Sequence, residues 1–246
     1  MSRIQISEER GVRYLSFGSR LIQGAMRLAR PFALELEYTR EMMFPLLVRD
    51  DRWWPRRALM IGLGAGSVAK FLYRHRPRST ITVVESREDV AHIAGQFFKL
   101  PDDPPRLVIE IGDGLQYLSS PGPAFDLILV DGYDARGRVG ALDSEAFYRR
   151  CRARMRSDAM LATNLLSRHR QVDASLDRMR AAFDGRAMAL PATSFGNVIA
   201  LAATGAPVDC SPAQLRTREK ALRDETGLGL ASTLTRLAKA AGPSVW

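Results

Sequence analysis

Apolar and polar side chains alternate from Arg3 to Ser7 and again from Val12 to Phe17, on either side of Glu9-Arg10-Gly11. Alternation around a glycine-containing turn predicts a β-hairpin and with it a small N-terminal sheet. The spacing of Leu34, Tyr38, Met42 and Met43 predicts one helix within residues 32–48, leading to Pro45 and the Trp53-Trp54-Pro55 segment. From there short apolar runs alternate with amphipathic ones. Strands are predicted over 58–61, 81–85, 107–111, 125–130, 159–164, 187–190 and 197–203. Helices are predicted over 66–75, 87–100, 144–155 and 171–183. Such alternation builds an α/β, Rossmann-like domain around a mostly parallel seven-stranded sheet. After it, Ser211-Pro212 reads as an N-cap followed by proline at the first helical position, opening a helix to about Thr226, with another from Leu230 to Lys239. The expected organisation is an N-terminal β-hairpin and helix region (1–50), a Rossmann-like catalytic domain (51–205) and a helical tail (206–246).

Composition narrows the class. With 246 residues and 46% hydrophobic content, one main α/β domain with small appendages is the expectation. No apolar run is long enough to span a membrane and MSRIQISEER lacks an apolar leader core, so the chain reads as cytoplasmic. Cys151 and Cys210 stand far apart without neighbouring ligand types, which suggests neither a disulfide framework nor a metal site. The formal charge of +9 suits an anionic partner, but its arginines are scattered and no aromatic residues interleave with them. Nucleic acid is therefore not the expected partner.

The chemistry gathers at the predicted strand ends, where open α/β sheets bind ligands. Gly62, Gly64 and Gly66 lie in Gly62-Leu63-Gly64-Ala65-Gly66-Ser67, between the first strand and its helix. Glycines there allow a tight turn and close approach of a ligand to the backbone. Glu85 ends the next strand, about twenty residues on, where a carboxylate accepts hydrogen bonds from ribose hydroxyls. Asp113 follows the third strand and reads either as an acceptor for an adenine amino group or as the N-cap of the next helix. Asp131 and Asp134 follow the fourth. They read as a pair that binds a substrate ammonium and takes a proton from an attacking amine, or as ordinary turn residues. Residues 132–142 hold Gly132, Gly137 and Gly140 and read as a loop over the site.

Taken with Leu21-Ile22-Gln23-Gly24-Ala25-Met26 and Leu36-Glu37-Tyr38-Thr39-Arg40-Glu41-Met42-Met43, these segments resemble the spermidine synthase family of polyamine aminopropyltransferases, in particular its short bacterial members. The resemblance runs from the hairpin to about Ala203. It implies an S-adenosylmethionine-dependent methyltransferase-type fold, a homodimer or homotetramer, and no metal. It also implies transfer of an aminopropyl group from decarboxylated S-adenosylmethionine to a small-molecule amine acceptor. By that resemblance Gln23 and Glu85 contact the nucleoside, Asp113 its adenine end, and Asp131 with Asp134 the amine; Tyr38 and Tyr133 become substrate-binding. Four segments depart from the family pattern. Ala65 replaces an aspartate of the glycine loop, Thr39-Arg40 replace His-Glu after the tyrosine, Asp131-Gly132-Tyr133-Asp134-Ala135 keeps both acids but loses a proline, and residues 190–197 lack the expected Tyr-Pro and Trp. A donor that keeps its carboxylate, S-adenosylmethionine itself, would make the protein a methyltransferase, and loss of turnover would leave an adenosyl-ligand-binding protein.

Overall fold

The computed structural model describes residues 3–18, 22–49, 51–132, 140–166, 169–205 and 210–241. β1 (Gln5–Glu9) and β2 (Val12–Ser16) form the predicted hairpin, with Glu9 paired to Val12 across Arg10 and Gly11. Both turn residues have positive φ, the geometry of tight hairpin turns. A third antiparallel strand, β3 (Ile22–Arg27), joins β2. Its central Gly24 and Ala25 interrupt the apolar alternation, so the sequence pattern shows no strand there.

The single helix expected within 32–48 is instead two short ones, α1 (Glu37–Glu41) and α2 (Pro45–Val48). Between them Met43 and Phe44 donate to the carbonyls three residues back, at 3.0 and 2.9 Å. Pro45 brings no N–H to continue the α ladder, and it starts α2 where that N–H is not needed.

The main sheet runs β6 (Leu107–Ile111), β5 (Thr80–Glu85), β4 (Arg57–Ile61), β7 (Phe125–Val130), β8 (Met155–Leu166), β10 (Asn197–Ala203), β9 (Ala187–Ala189). β6 through β8 are parallel, β10 is antiparallel to β8, and β9 is antiparallel to β10. Side chains of β4 and β7 alternate between two buried layers. Ala58, Met60, Leu127 and Leu129 enter one; Leu59, Ile61, Ile128 and Val130 enter the other. The strands are linked by α3 (Ser67–His75), α4 (Glu88–Phe98), α5 (Gly114–Ser119), α6 (Glu145–Ala153) and α7 (His169–Ala182), the covering that a parallel sheet buried on both faces requires.

In the tail, Ser211 and Gln214 form a reciprocal capping box at the start of α8 (Pro212–Thr226), and Gly227 closes it in the left-handed conformation. α9 (Ala231–Ala241) follows. Leu215, Leu222, Leu230 and Leu237 share the buried layer of Met42, Phe44 and Leu47, so the tail packs against the α1–α2 segment. Among the described residues no helix is long and apolar enough to cross a membrane. One aromatic does sit among the surface arginines, contrary to expectation. Arg52 and Arg78 lie 4.5 and 3.6 Å from the centre of the Trp53 ring, which engages it within the protein.

Candidate active site

In the sheet, sequence-consecutive β4 and β5 lie side by side while β7 lies on the other flank of β4, so strand order reverses between β4 and β7. The carboxyl ends of these two strands part to leave a crevice for a ligand. A small cleft occurs there, lined by Gln23, Tyr38, Thr39, Gly62, Leu63, Asp131 and neighbouring side chains. Among the described residues, Asp131 is the only carboxyl group in its lining and no Lys or Arg lines it. Arg40, although next to Thr39 on α1, is not part of that lining.

The glycine loop is shaped by what presses on it from two sides. A Cβ on Gly62, whose φ is 94°, would strike the Asp131 carbonyl; one on Gly64, at φ 53°, would come 2.5 Å from the Gln23 carbonyl oxygen. Only glycine fits both conformation and space. Ala65, at 2% exposure, packs against Gly24, and Ser67 Oγ donates to the Ala25 carbonyl at 2.9 Å. Thus β3 of the small sheet lies directly on the loop.

Glu85 is buried at the end of β5 and works on the same loop. Its Oε2 accepts the Leu63 N–H at 2.9 Å and its Oε1 accepts the Arg87 N–H at 2.9 Å. The carboxylate therefore fixes the loop conformation while keeping lone pairs for further donors. Asp113 is exposed and its Oδ1 accepts the Gln116 N–H at 2.8 Å, so it is the N-cap of α5. The cap reading is realised and uses Oδ1 alone, which is compatible with a ligand contact through Oδ2; Asp113 is not part of the cleft lining.

Asp131 follows β7, and its own N–H donates to the Ile61 carbonyl at 2.8 Å, which locks it beside Gly62. Asn164 donates to the Asp131 Oδ1 at 2.8 Å, and the Tyr38 hydroxyl lies on the same cleft where it favours the ionised form. Asn164, in turn, accepts at 3.0 Å from the Asn197 side-chain amide. Burial raises the Asp131 pKa most, the two donors oppose that, and the charge of Glu85 adds to the rise. The result is an oriented carboxylate, held above its ordinary proton affinity, with the second oxygen turned to other partners than Asn164.

The structure therefore brings Gln23, Tyr38, Gly62 and Asp131 to one cleft, with Glu85 tied beneath its glycine loop. Tyr133 and Asp134 lie outside the described residues. Asn164 and Asn197 were missing from the sequence reading. Asn164 was legible as the polar end of an apolar strand, by the same rule that singled out Asp131; Asn197 opens its strand and carried no such signal.

A mostly parallel Rossmann-like sheet, a glycine loop tied to an acidic residue on the next strand, and an oriented acid across from them define a protein built for an adenosyl ligand. Residues 37–190 match the model of the spermine/spermidine synthase domain, and the chain belongs to that family. It is 35% identical over 241 residues to the polyamine aminopropyltransferase of Neisseria meningitidis, covering 98% of this chain and 90% of the relative. Among solved structures, a probable spermidine synthase from Corynebacterium glutamicum superposes with a TM-score of 0.77 at 19% identity, over 100% of this chain and 92% of that one. A spermidine synthase in complex with the transition state analogue AdoDATO gives 0.68 at 18% identity, over 96% and 85%. These two establish the likeness of fold.

Proposed function

We propose that the protein transfers an aminopropyl group from decarboxylated S-adenosylmethionine to an amine, with Asp131 as the proton acceptor. The observation that carries this reading is the placement of Asp131 at the strand-order reversal, gripped by Tyr38 and Asn164 and facing the glycine loop. Glu85 offers its remaining lone pairs to the ribose hydroxyls, Gln23 borders the nucleoside, and Asp113 meets the adenine amino group with the oxygen not used for capping. The absence of cationic side chains from the described lining favours a sulfonium donor and an ammonium acceptor.

An ammonium has no lone pair, so the acceptor must lose a proton before or as it attacks. Asp131 takes that proton. The amine nitrogen then forms its bond to the methylene carbon attached to sulfur, the carbon–sulfur bond breaks, and its electron pair stays on sulfur. Methylthioadenosine leaves as a neutral thioether. Asn164 and Tyr38 hold the carboxylate in place, and Asp134 binds the acceptor beside it. At position 65 the methyl of alanine meets Gly24, so the donor's amine is recognised without a carboxylate from that residue.

Asp131→Asn keeps the shape and removes the base. Turnover should fall by about 10²–10⁴-fold, the ordinary contribution of a general base, while calorimetric affinity for decarboxylated S-adenosylmethionine stays within about twofold. Undiminished turnover would reject Asp131 as the base. Clear calorimetric preference of the wild-type protein for S-adenosylmethionine over its decarboxylated form would instead point to methyl transfer.

A further inference from the structure

α1 is only five residues long, and its N-cap, Leu36, supplies no side-chain hydrogen bond. A single turn of helix is not stable by itself and takes its orientation from what holds it. Besides its contact with β10, side chains of the C-terminal helix grip it. Arg236 of α9 pairs with Glu37 Oε1 at 3.0 Å and with Glu41, and Thr233 Oγ1 donates to Glu41 at 2.8 Å. Glu37 and Glu41 stand four residues apart on one face of α1, with Tyr38 on the turn between them. Glu41 is fully buried.

Glu37 also carries a second connection. Its Oε2 accepts the Ser194 N–H at 3.0 Å, in the segment between β9 and β10. That segment is folded onto itself by Asn197 N–H to Thr193 Oγ1, at 3.0 Å, and leads to the Asn197 amide that supports Asn164. A closed circuit results: Arg236 to Glu37, then Ser194 to Asn197, Asn164, Asp131, Tyr38 and back to α1. Both donors on Asp131 are thereby anchored to one guanidinium in a part of the chain outside the residues matched by the family model.

We propose that Arg236 is a positioning residue of the acceptor site, pairing with Glu37 and Glu41 so that α9 aims Tyr38 at Asp131. The assignment rests on the reading of Asp131 as the proton acceptor. Arg236 touches neither the glycine loop nor Glu85 through any hydrogen bond or ion pair among the described residues, so its effect belongs to the acceptor and not to the nucleoside.

The test is a double-mutant cycle in the full chain, using Arg236→Met, which keeps much of the stem's packing, and Tyr38→Phe. Arg236→Met should lower acceptor kcat/KM by about tenfold, the scale of a small misplacement at a reacting centre, and leave donor affinity within about twofold. Arg236→Lys should recover part of that loss. In the Tyr38→Phe background the same substitution should cost less than about threefold, because its main route of action has been removed and only the longer path through Ser194, Asn197 and Asn164 is left. Equal cost in both backgrounds, or an equal loss of donor affinity, overturns the proposal. Should Arg236→Met fail to fold, Glu37→Gln severs the ion pair with an isosteric side chain and enters the same cycle. If the wild-type protein releases no methylthioadenosine, the functional reading fails, and the cycle is then read in thermal unfolding. Coupled shifts of the two substitutions support the clamp, and additive shifts overturn it.

Discussion

Asp131 is subject to opposed influences whose balance has a measurable sign. Burial raises its pKa, Asn164 and Tyr38 lower it, Glu85 raises it, and the net direction is upward. A carboxyl raised in this way binds its proton more tightly folded than unfolded. The stability it contributes is present at low pH and is lost as pH rises through the raised pKa. Activity runs the other way, because only the ionised form accepts a proton. The acidic limb of kcat/KM should therefore lie above the ordinary aspartate value of about 4. Tyr38→Phe removes a donor that favours the ionised form and should move that limb to higher pH; an unmoved limb in the pH profile would show that Tyr38 does not act on the charge. At this scale the glycines, Glu85 and Asp131 were legible because strand ends in an α/β sheet are where ligands bind. Asp113 was not decidable, since a cap and a ligand contact ask for the same residue type. The Asn197–Asn164 relay escaped notice because it depends on the antiparallel pairing of β10 with β8, which places Ile199 opposite Asn164.

Among elements, β4 and β7 follow the sequence almost to the residue because both their faces are buried, which leaves apolar runs over 58–61 and 127–130; β5 follows it as well, although Thr80 and Thr82 interrupt its apolar positions. The α1–α2 segment was misread for the converse reason. Its apolar residues do fall at helical spacing, but Pro45 divides them, and α1 depends on α9 for its orientation. A second helix contact carries its own test. Lys70 of α3 is fully buried, and its Nζ donates at 2.6 Å to the Phe98 carbonyl at the end of α4, where a helix leaves carbonyls without partners. Burial, with a smaller push from Lys99, lowers its pKa to about 7. Between that value and the unfolded lysine value of about 10.4, the unfolded chain binds more protons than the folded one, so stability rises with pH over that window. Lys70→Met should flatten the rise, read as the difference in thermal midpoint between about pH 7 and about pH 9.5. An unaltered difference would mean that Lys70 stays charged in the fold.

For the molecule as a whole, the seven strands of the sheet and its flanking helices other than α5 followed from periodicity, whereas α5 and the placement of the two appendages did not. The small sheet sets β3 on the glycine loop, with Gly24 against Ala65 and the Ala25 carbonyl on Ser67. The tail sets α9 on α1. Both contacts join residues far apart in sequence through surfaces that no local pattern encodes, and both converge on the same cleft. The cleft is thus supported from opposite ends of the chain. The central claim is that this supported cleft moves an aminopropyl group. It is tested most directly by incubating the protein with decarboxylated S-adenosylmethionine and a panel of amines while following methylthioadenosine. The account predicts release that depends on an amine and is lost in Asp131→Asn; no release with any amine, or equal release by Asp131→Asn, would contradict it.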